Sequence, residues 1–523
     1  MRKSGSLYQR NFLFRENPGV APWRDSEQHE RMKNSDMLQF NNTFHTLGDA
    51  FFSQVQPAAL TDPYLVSANH DALAMIGLKM DDLSQSEFTR MFAGNQVPEG
   101  ARPLSMLYAG HQFGHLVPQL GDGRAILLGD VHGPQGERWE LQLKGAGPTP
   151  YSRGNDGRAV LRSTVREYLC SEAIHGLGIP STRALCITGS DDEVYREQIE
   201  TAAVLVRMAP SHVRFGSFEV FYYRDQYDQL RQLADHLIEH HYPRLRETAE
   251  PYLELYREVV LSTARLIAQW QLVGFAHGVM NTDNMSMLGL TLDYGPFGFL
   301  DHYDPGFVCN HSDHHGRYAF DQQPNIGQWN LTCLAQAMLP LFDEHDSGRA
   351  VELAQDALGL YEPELVQTYA RGMRRKMGLE ESREDDHALV TDLLQRMADN
   401  RVDYTRLFRA LADFAADGGA GAANEFIDRN AFHQWADNYR QRLASEQVEP
   451  ALRSRRMKQV NPKYILRNYL AQRAIDRAGE KDFSEIDRLL KLLRRPFDEQ
   501  PENESYAALP PDWAQHISVS CSS

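Results

Sequence analysis

Apolar and polar residues begin to alternate near Phe40, in FNNTFHTLGDAFFS, and beyond it the chain falls into two patterns. Between residues 105 and 210 the apolar runs are short and bounded by glycine. GRAILLGDV (123–131) and RWELQLKGAG (138–147) read as paired strands, and TAAVLVRMAP (201–210) as another strand, stopped by Pro210. Between them, AVLRSTVREYLCSEAIHGLGIP places Leu161, Val165, Tyr168 and Leu169 at helical spacing, and Gly176, Gly178 and Pro180 end that helix. From about residue 226 the pattern is mostly helical. Pro251 suits a first helical turn, Tyr252, Tyr256, Val259, Thr263, Ile267 and Trp270 recur at helical spacing, and Gly274 closes the segment. A loop-rich stretch, 274–330, precedes amphipathic helices over 331–495, in which DGGAGAAN (417–424) reads as a helix–helix connector. The expected fold class is α+β: a small β-rich N-terminal lobe joined to a larger helical lobe, an arrangement suited to holding a nucleotide in the cleft. The expected divisions are an N-terminal extension (1–36), a nucleotide-binding lobe (37–225), a helical lobe (226–497) and a tail (498–523).

Composition narrows the classes. Lys plus Arg is 54 against 71 for Asp plus Glu, a net charge of −17, so the balance does not recommend nucleic acid as a partner. No run approaches 18 uninterrupted apolar residues, so no membrane span is expected. Cys170, Cys186, Cys309, Cys333 and Cys521 lie far apart with no CxxC pair, which excludes a disulfide scaffold or a zinc ribbon and suits a reducing compartment. A cytoplasmic enzyme is the expectation. The first fifteen residues carry Arg2, Lys3, Arg10 and Arg15 without an acid, so a mitochondrial transit peptide is the alternative to a loose tail or an upstream start before Met32 or Met37.

Candidate chemistry lies between and after the strands. Gly121-Asp122-Gly123-Arg124 offers glycines that let backbone N–H groups approach a phosphate, with a cation beside them; Asp-Gly is equally a hairpin turn. Lys144 ends a strand, and Glu167 follows it by 23 residues in the next helix, the order of the kinase lysine–glutamate ion pair. In HGVMNTDNM, His277 and Asn284 keep the spacing of a kinase catalytic loop, and Asp293-Tyr294-Gly295 stands where kinases carry Asp-Phe-Gly. Val279 occupies the position of the usual catalytic aspartate and can neither accept a proton nor bind a metal. Asp283 is the nearby carboxylate able to replace it, and Asn284 and Asp293 remain as metal ligands. Arg207 and Arg214 flank MAPSHV as a phosphate clamp or as salt-bridging residues, and Asp156 and Gly157 form a tight turn before the Glu167 helix. His311, His314 and His315 invite a zinc site, but Gly316 and the polar surroundings suggest a loop in which they pack or hydrogen-bond.

These motifs together resemble the selenoprotein O family. The resemblance runs from about Phe40 to Ser523 and rests on LYAGHQFGHLVPQLGDGRA, LQLKGAGPTPYSRGNDGRAVLRS, HGVMNTDNMS, LDYGPFGFLD and the terminal CSS. It implies a protein-kinase-like fold that binds ATP inverted and transfers AMP to Ser, Thr or Tyr of protein substrates, releasing pyrophosphate, with UTP and Mn²⁺ as a further nucleotide and metal. It further implies nucleotide binding by Gly121, Gly123, Arg124, Lys144, Asp156, Gly157, Arg207, Arg214 and Asp293. Mg²⁺ or Mn²⁺ would lie on Asn284 and Asp293, with Asp283 as proton acceptor. Selenium-using members carry selenocysteine where this chain has Cys521, and a reversible Cys309–Cys521 disulfide is the expected redox device. The competing expectations are an ATP-dependent protein kinase and an inactive nucleotide-binding scaffold.

Overall fold

The computed structural model describes residues 38–519. Its N-terminal half is built on one antiparallel sheet. The strand order is Phe52–Gln54, Leu104–Met106, Ala125–His132, Arg138–Lys144, Ile199–Ala209, Arg183–Tyr195, Tyr64–Ala68, and the short Ala159–Val160 strand also pairs with Ile199–Ala209. Glycine-bounded runs became the central strands, as their patterns predict. Arg183–Tyr195 was not anticipated: its first eight residues are buried without interruption, so they lack the period-two alternation of a half-exposed strand. In the central register Lys144 lies opposite Ala125 on one side and Leu205 on the other, and Arg207 lies opposite Gln142. Those pairings bring the side chains of Lys144, Gln142 and Arg207 together on one face of the sheet.

Helix Leu161–Gly176 crosses this sheet and is buried from Thr164 to Ile174. Its charged residues are satisfied inside the protein. Glu172 takes two hydrogen bonds at 2.8 Å from Arg183, and Arg166 donates to the Phe297 carbonyl at 3.0 Å. The far side of the helix packs against Asn468–Gly479 and Ser484–Leu493, so C-terminal helices reach back to support the sheet. Gly176 allows the closest approach, since a Cβ there would overlap the Leu493 carbonyl.

The helical half is organised around Pro251–Val273, which begins with proline in its first turn and ends on Gly274 at φ 70°, as its sequence predicts. It packs against Gln323–Phe342 and Tyr361–Lys376. Gln323–Phe342 starts inside the stretch read as loop-rich: Pro324 occupies the first turn, where a missing N–H costs nothing. The helix Phe215–Tyr222 was also missed. Gly418 and Gly419, at φ 68° and 90°, do separate two short helices, as a connector should. Among the described residues no helix is long and apolar enough to cross a membrane.

Lys376 is buried without a carboxylate partner among the described residues. It is 3% exposed, with its ammonium 4.3 Å from the Phe408 ring centre and 5.1 Å from that of Tyr404. The rings favour the charged form, but burial dominates and pushes its pKa down to about 7. The unfolded chain keeps this proton up to an ordinary lysine pKa, so between the two values unfolding takes up a proton and stability rises with pH. Below the lower value the full penalty applies, on the order of a few kcal/mol. Lys376→Met therefore raises the melting temperature at pH 6–7, and the advantage over the parent shrinks toward pH 10. Thermal melts across that range check this; an advantage independent of pH would contradict it.

Candidate active site

The sheet, the helix Leu161–Gly176 and the segment 279–296 enclose a cleft of about 630 Å³, within the range of nucleotide-sized pockets. Asp293 lies at its centre. One carboxylate oxygen pairs with Arg207 and has Lys144 at 3.7 Å; the other pairs with Arg214. Burial alone would raise this carboxyl, but Arg207, Arg214 and Lys144 more than offset it and hold Asp293 well below the usual carboxylate range. Its backbone has φ 58°, a left-handed conformation uncommon outside glycine and found where surroundings over-determine it.

Both arginines are fixed from behind. Arg207 donates to Gln142 Oε1 at 2.6 Å and to Glu167 at 3.1 Å, and Gln142 in turn donates to Asp122 at 2.9 Å. Arg214 donates to the Asp283 carbonyl at 2.8 Å and lies 4.5 Å over the Tyr108 ring. Lys144 forms a hydrogen-bonded ion pair with Glu167, as the sequence order predicts. Burial lowers the Lys144 pKa, partly countered by Glu167. Gly121 and Gly123 stand in a loop that leads into Ala125–His132, and a Cβ at Gly123 would press on the Tyr151 carbonyl. Arg124 faces the same cleft, and burial lowers its pKa too.

Residues 277–293 supply the opposite wall. The His277 ring donates from Nε2 to the Leu292 carbonyl at 3.0 Å, because a carbonyl can only accept; this ties the loop to the residue preceding Asp293. Val279 contributes only its backbone: its carbonyl accepts from Asn284 Nδ2 at 3.0 Å. That bond uses the amide nitrogen and leaves the Asn284 oxygen as an acceptor; Asn284 and Asp293 both line the cleft and together are hard oxygen donors of the kind that suit Mg²⁺ or Mn²⁺, which would displace an arginine from Asp293. Asp283 is buried, and burial pushes its pKa up to about 7 against the opposing effect of a Gln112 hydrogen bond. Oδ2 receives that bond at 3.1 Å, and Oδ1 has no hydrogen-bond partner among the described residues.

The structure thus brings Gly121, Gly123, Arg124, Lys144, Glu167, Arg207, Asp283, Asn284 and Asp293 to one cleft, while Arg214 lies behind the lining and reaches it through Asp293. Arg207 and Arg214 are buried at 3% and 1% exposure, so they are not surface salt-bridging residues. Asp156 and Gly157 lie at the cleft mouth, where Asp156 is clamped by Arg196 at 2.8 and 2.9 Å. Sequence reasoning missed Tyr108, Gln112, Gln142 and Arg196. Gln112 stood in the quoted GHQFGH run, but its partner lies 171 positions away. His311, His314 and His315 are exposed in a turn, with the first two rings 6.4 Å apart. Cys309 is buried at 8% exposure behind Ala276, 3.6 Å from its carbonyl; Cys521 lies outside the described residues.

Removing the Asp293 charge leaves two buried guanidiniums facing each other. Asp293→Asn is expected to cost about 1–3 kcal/mol, allowing for access of water to the cleft, and to lower the melting temperature without nucleotide. An unchanged melt would show that the carboxylate does not hold the arginines.

A family model described as protein adenylyltransferase SelO matches residues 35–494. The chain is 58% identical over 487 residues to the protein nucleotidyltransferase YdiU of Thioalkalivibrio sulfidiphilus, covering 93% of this chain and 99% of that protein. It is 55% identical over 495 residues to the YdiU of Myxococcus xanthus, covering 94% and 100%. The YdiU of Pseudomonas fluorescens is 51% identical over 494 residues, with the same coverage of 94% and 100%. A cleft built around Asp293 and a near-complete match to these relatives agree: the chain belongs to the SelO family of protein adenylyltransferases.

Proposed function

We propose that the protein transfers AMP from ATP to Ser, Thr or Tyr hydroxyls of protein substrates, with Asp283 as the proton acceptor. The observation that carries this is the pairing of two carboxylates with opposite environments. Asp293 is held ionised by three cations, while Asp283, with burial favouring its neutral form, lines the same cleft with no cation paired to its carboxyl. Groups pushed apart in this way divide into a charge-stabilising residue and a proton-transfer residue. The sheet lysine, the helix glutamate, and Asn284 and Asp293 in the loops support a kinase-like bilobal reading, in which 37–225 carries the nucleotide-binding lobe and 226–497 the helical lobe.

In the transfer, the acceptor hydroxyl oxygen attacks the α-phosphorus. The bond from that phosphorus to the α–β bridging oxygen breaks, pyrophosphate leaves, and the hydroxyl proton passes to Asp283. Lys144, Arg124 and Arg207 face the phosphates, Arg214 backs them through Asp293, and the glycines at 121, 123 and 157 let backbone approach them. Mg²⁺ or Mn²⁺ on Asn284 and Asp293 would neutralise part of the phosphate charge. Val279 is what separates this reading from a conventional kinase, since its side chain offers no base at the usual position.

ATP labelled separately at the α- and γ-phosphates tests the reaction, with UTP and Mn²⁺ as a parallel arm. Covalent α-label without γ-label is expected, with Asp283→Asn lowering the rate about 100-fold or more and Asp293→Ala abolishing it. Covalent γ-label would make the protein a kinase, and binding without transfer would make it a scaffold.

We also propose the Cys309–Cys521 disulfide as the redox control of this site. The Val519 carbonyl accepts from the His311 amide at 2.9 Å, which brings the chain two residues before Cys521 to within two residues of Cys309. Oxidation by an external disulfide would remove two thiol protons and two electrons and join the sulfurs. Non-reducing peptide mapping after oxidation should recover the cross-linked pair; its absence under all conditions would contradict the proposal.

A further inference from the structure

The segment Gly110–Val117 forms a two-stranded hairpin outside the main sheet, and its contacts are directed at the catalytic loop. The contacts run almost residue against residue. The His111 amide donates to Thr282 Oγ1 at 2.7 Å, Gln112 Nε2 to Asp283 Oδ2 at 3.1 Å, and the Phe113 amide to Asn281 Oδ1 at 3.2 Å and Tyr318 Oη at 2.9 Å. Gly110 packs so closely on Asp283 that a Cβ would stand 2.8 Å from its Cβ and 2.9 Å from its carboxyl carbon.

A buried relay fixes the base of the hairpin. Glu219 is fully buried; one oxygen accepts from His111 Nδ1 at 2.6 Å, and the other accepts from Thr282 Oγ1 at 2.5 Å. The Ala109 amide donates to the Gly216 carbonyl at 2.9 Å, anchoring the hairpin to the start of Phe215–Tyr222. These bonds immobilise the backbone on both sides of Gln112 and Asp283. The remaining freedom is the rotation of the Asp283 carboxyl, and the Gln112 amide is the side-chain donor that limits it. Oδ1 is closed off from solvent against Gly110 and has no partner among the described residues, so Oδ2, beside Gln112, is the oxygen that the cleft can reach.

We propose that Gln112 is a positioning residue for the transfer: with Oδ1 seated against Gly110, its bond to Oδ2 fixes the carboxylate so that the remaining lone pair of Oδ2 meets the acceptor hydroxyl. This rests on the reading of Asp283 as proton acceptor. It follows that Gln112 governs turnover and not nucleotide affinity, because the cleft-lining Arg207 and Lys144 are held by Gln142, Glu167 and Asp293 and not by the hairpin.

The test uses the full chain with Mn²⁺ and α-labelled ATP. Acid-precipitable label is followed in the protein itself and in added dephosphorylated casein, for the parent, Gln112→Leu, Gln112→Glu and Asp283→Asn. Leucine keeps most of the bulk and removes the donor; glutamate keeps the shape and faces Asp283 with a like charge at pH 8. A positioning role lowers kcat roughly 10- to 100-fold in Gln112→Leu, leaves the KM for ATP within about twofold, and makes Gln112→Glu at least as impaired. Melting with and without ATP shows whether each variant folds and binds nucleotide. A packing role reverses the order, with the isosteric glutamate the milder change, and overturns the proposal. So does a parallel change in kcat and KM, or a Gln112→Leu variant within twofold of the parent. If Asp283→Asn keeps parental activity, the assignment of the base fails and this inference fails with it. If that variant is inactive while Gln112→Leu is not, only the role of Gln112 is lost.

Discussion

A single carboxylate sets the arrangement of the cleft. Asp293 accepts from Arg207 on one oxygen and Arg214 on the other, and Lys144 stands near the first. Burying two guanidiniums is tolerable only with an opposite charge between them and hydrogen bonds to their remaining donors. Gln142, Glu167 and the Asp283 carbonyl supply most of those bonds, leaving Arg214 Nη2 without a partner among the described residues. Each of these groups comes from a different part of the fold: Gln142 and Arg207 from adjacent strands, Glu167 from the helix that crosses them, and Asp293 from the loop beyond. Neutralising Asp293 would therefore loosen the contact between the sheet and the 277–293 segment as well as the site.

The same interaction explains why the two aspartates of the loop differ. Asp293 sits among cations and stays ionised. Asp283, ten positions earlier in the chain, has lost water without gaining a direct cation partner on its carboxyl; Arg214 reaches only its backbone carbonyl. A residue that binds phosphate charge and one that takes a proton need opposite environments. The chain creates both within one loop by turning sharply at Asp293, whose φ of 58° aims the carboxylate at the arginines.

Much of this was legible before folding. Glycine-bounded apolar runs announced the central strands. The spacing of Lys144, Glu167, His277, Asn284 and Asp293 announced the cleft, and Val279 announced that the usual base was missing. The illegible parts have a common cause. Arg207 and Arg214 could be surface or core from sequence alone, because a charged residue is buried only when partners far away in the chain meet it. Gln112 pairs with Asp283 across 171 positions, and Gln142 finds Arg207 across 65, so neither pairing leaves a local signal. The strand Arg183–Tyr195 lacked alternation because its inner half is covered on both faces, and Gln323–Phe342 hid behind a proline that suits a first turn.

Adenylyl transfer requires the cleft to present the α-phosphate of ATP to Asp283. A crystal structure of the full chain with Mg²⁺ and a non-hydrolysable ATP analogue measures this directly. The α-phosphorus is expected nearest the Asp283 carboxylate on its Oδ2 side, about 4–5 Å away with room for a hydroxyl oxygen between them, with pyrophosphate positions extending toward the cations. A γ-phosphorus in that place, with the α-phosphate deep in the cleft, would contradict this and point to phosphoryl transfer.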